Sequence, residues 1–116
     1  TINECIELLN TCDGAMVGRA VYEHPLRWQK VDEIIYNEKP CPIKASSIIK
    51  QIIPYTEDHL NSGGQLWDIC KHLIHLVEGV KGARKWRKNL SLATQKKTNE
   101  INLLESAALQ LHEAGL

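Results

Sequence analysis

No Cys-x-x-Cys pair occurs in this sequence: its four cysteines, Cys5, Cys12, Cys41 and Cys70, stand far apart. That spacing argues against a disulfide framework and against a zinc site, and it points to a reducing, cytoplasmic setting. No apolar run approaches the ~20 residues that cross a bilayer, so no membrane partner is expected. No signal peptide, internal repeat or low-complexity stretch is visible. Net charge is missing too, with 14 basic against 14 acidic residues. The global balance therefore says nothing about partners. The first residue is Thr1 rather than methionine, and the chain is read as a piece of a longer one.

The distribution of charge is uneven. Between Lys71 and Lys97 stand eight basic residues (Lys71, Lys81, Arg84, Lys85, Arg87, Lys88, Lys96, Lys97) and one acid, Glu78, a local excess of +7. Residues 1–70 carry −4 and residues 98–116 carry −3. A neutral chain with one concentrated basic stretch fits a polyanionic partner better than an even mixture does.

Hydrophobic residues make up 43% of the chain, enough for a real core. Residues 2–10 read as the end of a helix with Ile2, Ile6 and Leu9 on one face. Ala15 to Val17 is a short apolar run between Gly14 and Gly18, the pattern of a buried strand in a parallel sheet. Arg19 to Tyr22 opens a short helix, and Pro25 restarts one to about Tyr36. Residues 37–42 hold Pro40 and Pro42 and read as a linker.

From Ile43 onward the pattern is helical. Ile48, Ile49, Ile52 and Ile53 give one apolar stripe, and Gly63-Gly64 breaks it. Leu66, Ile69, Cys70, Leu73, Ile74 and Val77 give a second at a spacing of three and four. Gly79 and Gly82 bracket a turn, after which Ala83, Trp86 and Leu90 face inward. Ile101, Leu104, Ala108 and Leu111 form a fourth stripe ending at Gly115. The fold expected is mainly α, with residues 41–116 a small four-helix bundle. Residues 1–40 form a helix–strand–helix piece. Its strand cannot satisfy its backbone alone, so its neighbours are expected before Thr1.

Two constellations carry chemistry. At Val17-Gly18-Arg19 a glycine precedes a helix start. Glycine lets an anion approach the backbone, and helix N-termini favour negative charge. Arg19 can add a charge-assisted bond to a phosphate. By spacing alone the signal is weak, and a tight turn with a surface arginine is the plainer reading of these residues. Farther on, Arg84, Arg87 and Lys88 fall at i, i+3 and i+4 on one helix face, with Lys81 one turn earlier. Arginine's planar fork suits phosphate oxygens. Such a face either positions a nucleic-acid backbone with salt-dependent affinity or is simply solvated.

Asp13-Gly14-Ala15-Met16-Val17-Gly18-Arg19-Ala20, with His24-Pro25 following, resembles the last barrel strand of the tRNA-dihydrouridine synthases, whose motif there is D-G-x-M-x-G-R. Leu66 to Leu73, and Glu78-Gly79-Val80-Lys81-Gly82-Ala83-Arg84-Lys85-Trp86-Arg87-Lys88, resemble the helical domain of the branch that acts on the D-loop, with its signature H-(M/L)-x-x-L-x-x-G-x-x-G-A-R-x-W-R. Both motifs occur in the family's order and spacing. They cover most of residues 11–92, while residues 93–116 are similar only loosely.

The resemblance implies that residues 1–40 end an FMN-binding TIM (β/α)8 barrel and that residues 41–116 form a tRNA-binding helical domain. It implies reduction of uridine to 5,6-dihydrouridine, with FMN as cofactor and NADPH as reductant. Gly18 and Arg19 would bind the FMN phosphate. Arg84 and Arg87, then Lys71 and Lys88, would contact tRNA. The family's catalytic cysteine lies in an earlier barrel loop, so no catalytic residue is expected here, and Cys41-Pro42 imitates that loop's dipeptide by coincidence. No metal is expected, since His72 and His75 have no third ligand nearby and read as packing residues. Trp28, Trp67 and Trp86 read as core or interface. The chain is taken as monomeric. The rival readings are a non-catalytic helical RNA-binding module and a bundle whose basic face meets an acidic protein.

Overall fold

The computed structural model describes residues 1–95 and 98–116; Lys96 and Lys97, counted in the basic stretch above, lie outside the described residues. Among the described residues there are seven α-helices and no strand. The chain divides into two compact units, Thr1–Pro42 and Ile43–Leu116.

The first unit holds α1 (Ile2–Leu9), α2 (Arg19–Glu23), a 3-10 turn over Pro25–Trp28 and α3 (Val31–Tyr36). Thr1 caps α1, its hydroxyl accepting the Glu4 N–H at 3.2 Å. The helix expected from Pro25 to Tyr36 is broken at Gln29-Lys30. Pro25 sits in the first turn of the 3-10 segment, and α3 ends at Asn37 in the left-handed region (φ 55°). Little of this unit is covered. Cys5 is its one buried apolar residue among those described, while Leu8, Tyr22, Ile34 and Tyr36 are exposed.

The strand expected at Ala15–Val17 does not form. Residues 14–18 have no regular structure, and Met16 is 91% exposed. The physical reason is pairing: a strand exists through a neighbour's hydrogen bonds, and none among the described residues offers them.

The second unit holds α4 (Ala45–Asn61), α5 (Trp67–Leu73), a 3-10 turn over Ile74–Leu76, α6 (Ala83–Leu90), a 3-10 turn over Ser91–Thr94 and α7 (Asn102–Glu113). The long pair α4 and α7 forms its main packing surface, with α6 laid on α7 and α5 on the Ser91–Thr94 turn. Ile49, Leu66, Cys70, Leu90 and Leu104 are at most 1% exposed. Each such leucine or isoleucine contributes about 1.5–3 kcal/mol of transfer free energy. The stripes at Ala83, Trp86 and Leu90 and at Leu104, Ala108 and Leu111 are buried as read from spacing. The second stripe bends: α5 stops at Leu73 and tightens into the 3-10 turn, which buries Leu76 as well.

Two helix ends are closed by the same device. After α4, Gly63 takes φ 89°, its N–H donating to Leu60 O at 3.1 Å, and Gly64 N–H donates to His59 O at 2.9 Å. After α7, Gly115 takes φ 81°, and Leu116 N–H donates to Leu111 O at 2.9 Å. These are paired C-terminal caps in which only glycine enters the left-handed residue without a Cβ penalty. Leu116 is then recruited again. Its carbonyl accepts both the N–H and the hydroxyl of buried Ser46, each at 3.2 Å, in the first turn of α4.

Candidate nucleic-acid interface

Helix α6 is built from two incompatible faces. Ala83 and Trp86 are each 5% exposed and Leu90 1%, and the Trp86 indole N–H donates to Ala107 O of α7 at 3.2 Å. That bond fixes the helix's rotation about its axis, because moving the indole would strand a buried donor. Arg84 and Lys88 are then turned outward and exposed. Neither makes a side-chain hydrogen bond or ion pair among the described residues, and the same holds for Lys71, exposed on α5.

Arg87 differs from its neighbours. It directly follows Trp86 and borders the buried stripe, and it is half-buried. Its Nη1 donates to Val77 O at 2.8 Å. Part of its guanidinium therefore holds the loop that precedes α6, and its other donors have no partner among the described residues. The loop itself needs its glycines: Gly79 and Gly82 take φ 68° and 88°, and Gly82 occupies the N-cap position of α6. The G-x-x-G spacing thus delivers the chain into α6 with Lys81 exposed on the turn.

A second local arrangement sets α5. Asp68 Oδ2 accepts the Gln65 N–H at 2.9 Å and lies 2.8 Å from His59 Nε2, while Leu66 N–H donates to Asn99 Oδ1 at 2.5 Å. The His59 bond, and then the backbone N–H, hold the Asp68 carboxyl below the usual carboxylate range. No local pattern signals this pair, because its partners are nine positions apart across the Gly63-Gly64 turn. His72 and His75, read as packing residues, are both exposed.

In the first unit, Gly18 is the N-cap residue of α2 and Arg19 its first residue, both exposed. A Cβ at Gly18 would meet only Met16 Sδ, at 3.9 Å. The Arg19 side chain has no intramolecular partner among the described residues. An open glycine beside an unpaired guanidinium fits a phosphate group. Cys41 is exposed at the end of this unit.

The dihydrouridine synthase (Dus) family model matches residues 2–112. This chain belongs to the dihydrouridine synthase family. Among its curated relatives, the tRNA-dihydrouridine(20/20a) synthase of Pseudomonas putida is 32% identical over 107 residues, 92% of this chain and 32% of that protein. The enzyme of the same name from Shewanella oneidensis is 35% identical over 99 residues, covering 85% of this chain and 30% of its own. The one from Escherichia coli K12 is 34% identical over 107 residues, covering 92% and 31%. The chain thus spans about a third of the length of the curated relatives it matches. Family membership agrees with the resemblance carried by the two sequence motifs.

Proposed function

We infer that this chain is the C-terminal part of a flavin-dependent tRNA-dihydrouridine synthase, and that it holds the RNA while a barrel elsewhere in the protein carries the chemistry. The reaction is reduction of the uridine C5–C6 double bond in the tRNA D-loop, at the positions 20 and 20a that the relatives' names specify. The first unit is the end of the FMN-binding barrel, its exposed apolar residues seated against the remaining strands and helices. The second is the tRNA-binding domain, a small four-helix bundle.

When bound, FMN would supply hydride chemistry, with NADPH as the reductant. Gly18 and Arg19 would hold its phosphate: the glycine leaves the backbone open, and the arginine supplies a fork of donors. On α6, Arg84 and Lys88 engage the RNA backbone, Arg87 with the donors that Val77 leaves free, and Lys71 joins them from α5. These contacts position tRNA without reading its sequence. The target base can then be drawn out of its stack.

The observation that carries this reading is the pair of faces on α6: an apolar stripe locked by Trp86 on Ala107, and opposite it cations with no partner of their own. The test is D-loop sequencing in a strain lacking the gene. Loss of dihydrouridine at positions 20 and 20a is expected, and an undiminished level would overturn the proposal.

A further inference from the structure

Beside the cationic stripe, α6 borders a cavity that the backbone-holding role leaves unused. It has a volume of about 290 Å³ and opens between the start of α6 and the end of α7. Its apolar walls come from Val80, Ala83, Trp86 and Leu111, of which the last three are at most 5% exposed. Its polar lining is Lys81, Lys85, Asn89 and Gln110. Among the described residues no acidic side chain lines it.

We propose that this cavity receives one unstacked nucleobase of the bound RNA, with Lys81 and Lys85 on the phosphates that flank it. This deepens the tRNA-binding reading and rests on it. Four features support the occupant. The volume lies at the small end of ligand pockets, near ~300 Å³, suited to a single ring system rather than a longer ligand. The walls are apolar, as a base's faces require. Asn89 and Gln110 each offer a donor pair and an acceptor, the complement of a base edge. The two lysines and the N-terminus of α6 put positive potential at the mouth, where a base's own phosphates must sit.

The residues are separate from the phosphate stripe. Lys85 and Asn89 are at i and i+4, displaced around the helix from Arg84 and Lys88. Arg84 and Lys88, with Lys81 and Lys85 at the mouth, would supply salt-dependent affinity, and the interior of the cavity a contact that salt barely screens. An acidic peptide could satisfy the lysines, but it would leave the apolar walls and the amides without a purpose.

The experiment uses the full chain and three probes: uridine 5′-monophosphate, inorganic phosphate and an oligoglutamate peptide. NMR follows the Trp86 indole and Gln110 side-chain N–H signals. Saturable shifts with the nucleotide, absent with phosphate and peptide and abolished in Ala114→Phe, are expected; Ala114 lines the rim and is exposed. In tRNA binding, Ala114→Phe should weaken affinity about tenfold with an unchanged salt slope. Gln110→Ala, at an exposed helical position, tests the same contact where the phenylalanine disturbs folding. Equal shifts with phosphate or with the peptide would overturn the proposal. So would full tRNA affinity in both variants. If Arg84→Ala/Lys88→Ala still weakens tRNA binding in that case, only the cavity assignment falls. If it does not, the RNA-binding reading falls with it.

Discussion

Arg87 Nη1 donates to the carbonyl of Val77 at 2.8 Å, so a side chain of the basic helix is committed to the loop that launches that helix. Arg84, one turn earlier, has no such tie. The two arginines of the signature are therefore separable. Arg87→Met should lower unfolding free energy by about 1–2 kcal/mol, the cost of an unmet carbonyl and a lost charged donor. Arg84→Ala should stay within about 0.5 kcal/mol of the parent. Chemical denaturation of the two variants checks the difference.

The two outward cations of α6, Arg84 and Lys88, are read out under salt. Arg84→Ala and Lys88→Ala should each reduce the slope of log affinity for tRNA against log salt by roughly one, a lost phosphate contact apiece. Filter binding across a salt series measures this. Unchanged slopes in both variants would remove them from the interface.

Trp86 is the hinge between burial and display on α6. Trp86→Phe gives up the indole's bond to Ala107 O and leaves a void, for a loss of about 1–3 kcal/mol. Arg84→Lys should instead leave stability unchanged, since that exposed side chain makes no hydrogen bond or ion pair among the described residues. Thermal unfolding followed by far-UV circular dichroism resolves the two cases.

Burial pushes the Cys70 thiol up to about 12, and none of its surface is exposed. A thiolate is the reactive form, so Cys70 should stay unmodified by a disulfide reagent at pH 8 while exposed Cys12 and Cys41 react quickly. Addition of denaturant should release Cys70. Mass spectrometry of the labelled peptides reports which site has reacted.

Asp68 gives a pH dependence whose sign is fixed by its depressed carboxyl. A folded-state value below the unfolded one adds stability above the ordinary carboxylate range, and that increment is lost as pH falls through the folded value. Asp68→Asn should thus melt lower than the parent at pH 7 and approach it as pH falls below ~4, as thermal unfolding at the two pH values would show. Gly64→Ala should act at any pH, because a Cβ there collides with the His59 ring that Asp68 holds.

The helical unit was legible where one periodicity sufficed. Ala83, Trp86 and Leu90 are spaced for burial, and their burial orders the cations opposite. What was illegible involves partners that spacing cannot reveal. Ala15–Val17 has a strand's composition without a neighbour to pair with. Pro54 lies inside α4, yet the helix continues past it, because packing along α7 outweighs one missing backbone donor. Arg87 looks like any surface arginine until the loop at Val77 is placed beside it. The cavity beside Gln110 joins residues 77–89 to residues 110–116, a juxtaposition that no local motif encodes.

The carbonyl of Leu116 that satisfies Ser46 lies 70 positions further along the chain. During synthesis the opening turn of α4 leaves the ribosome with its donors answered by water alone. They gain their protein partner only once Leu116 has also emerged. Closure of this unit therefore waits on the far end of α7, and a ribosome stalled anywhere short of Leu116 would present α4 with its first turn still open.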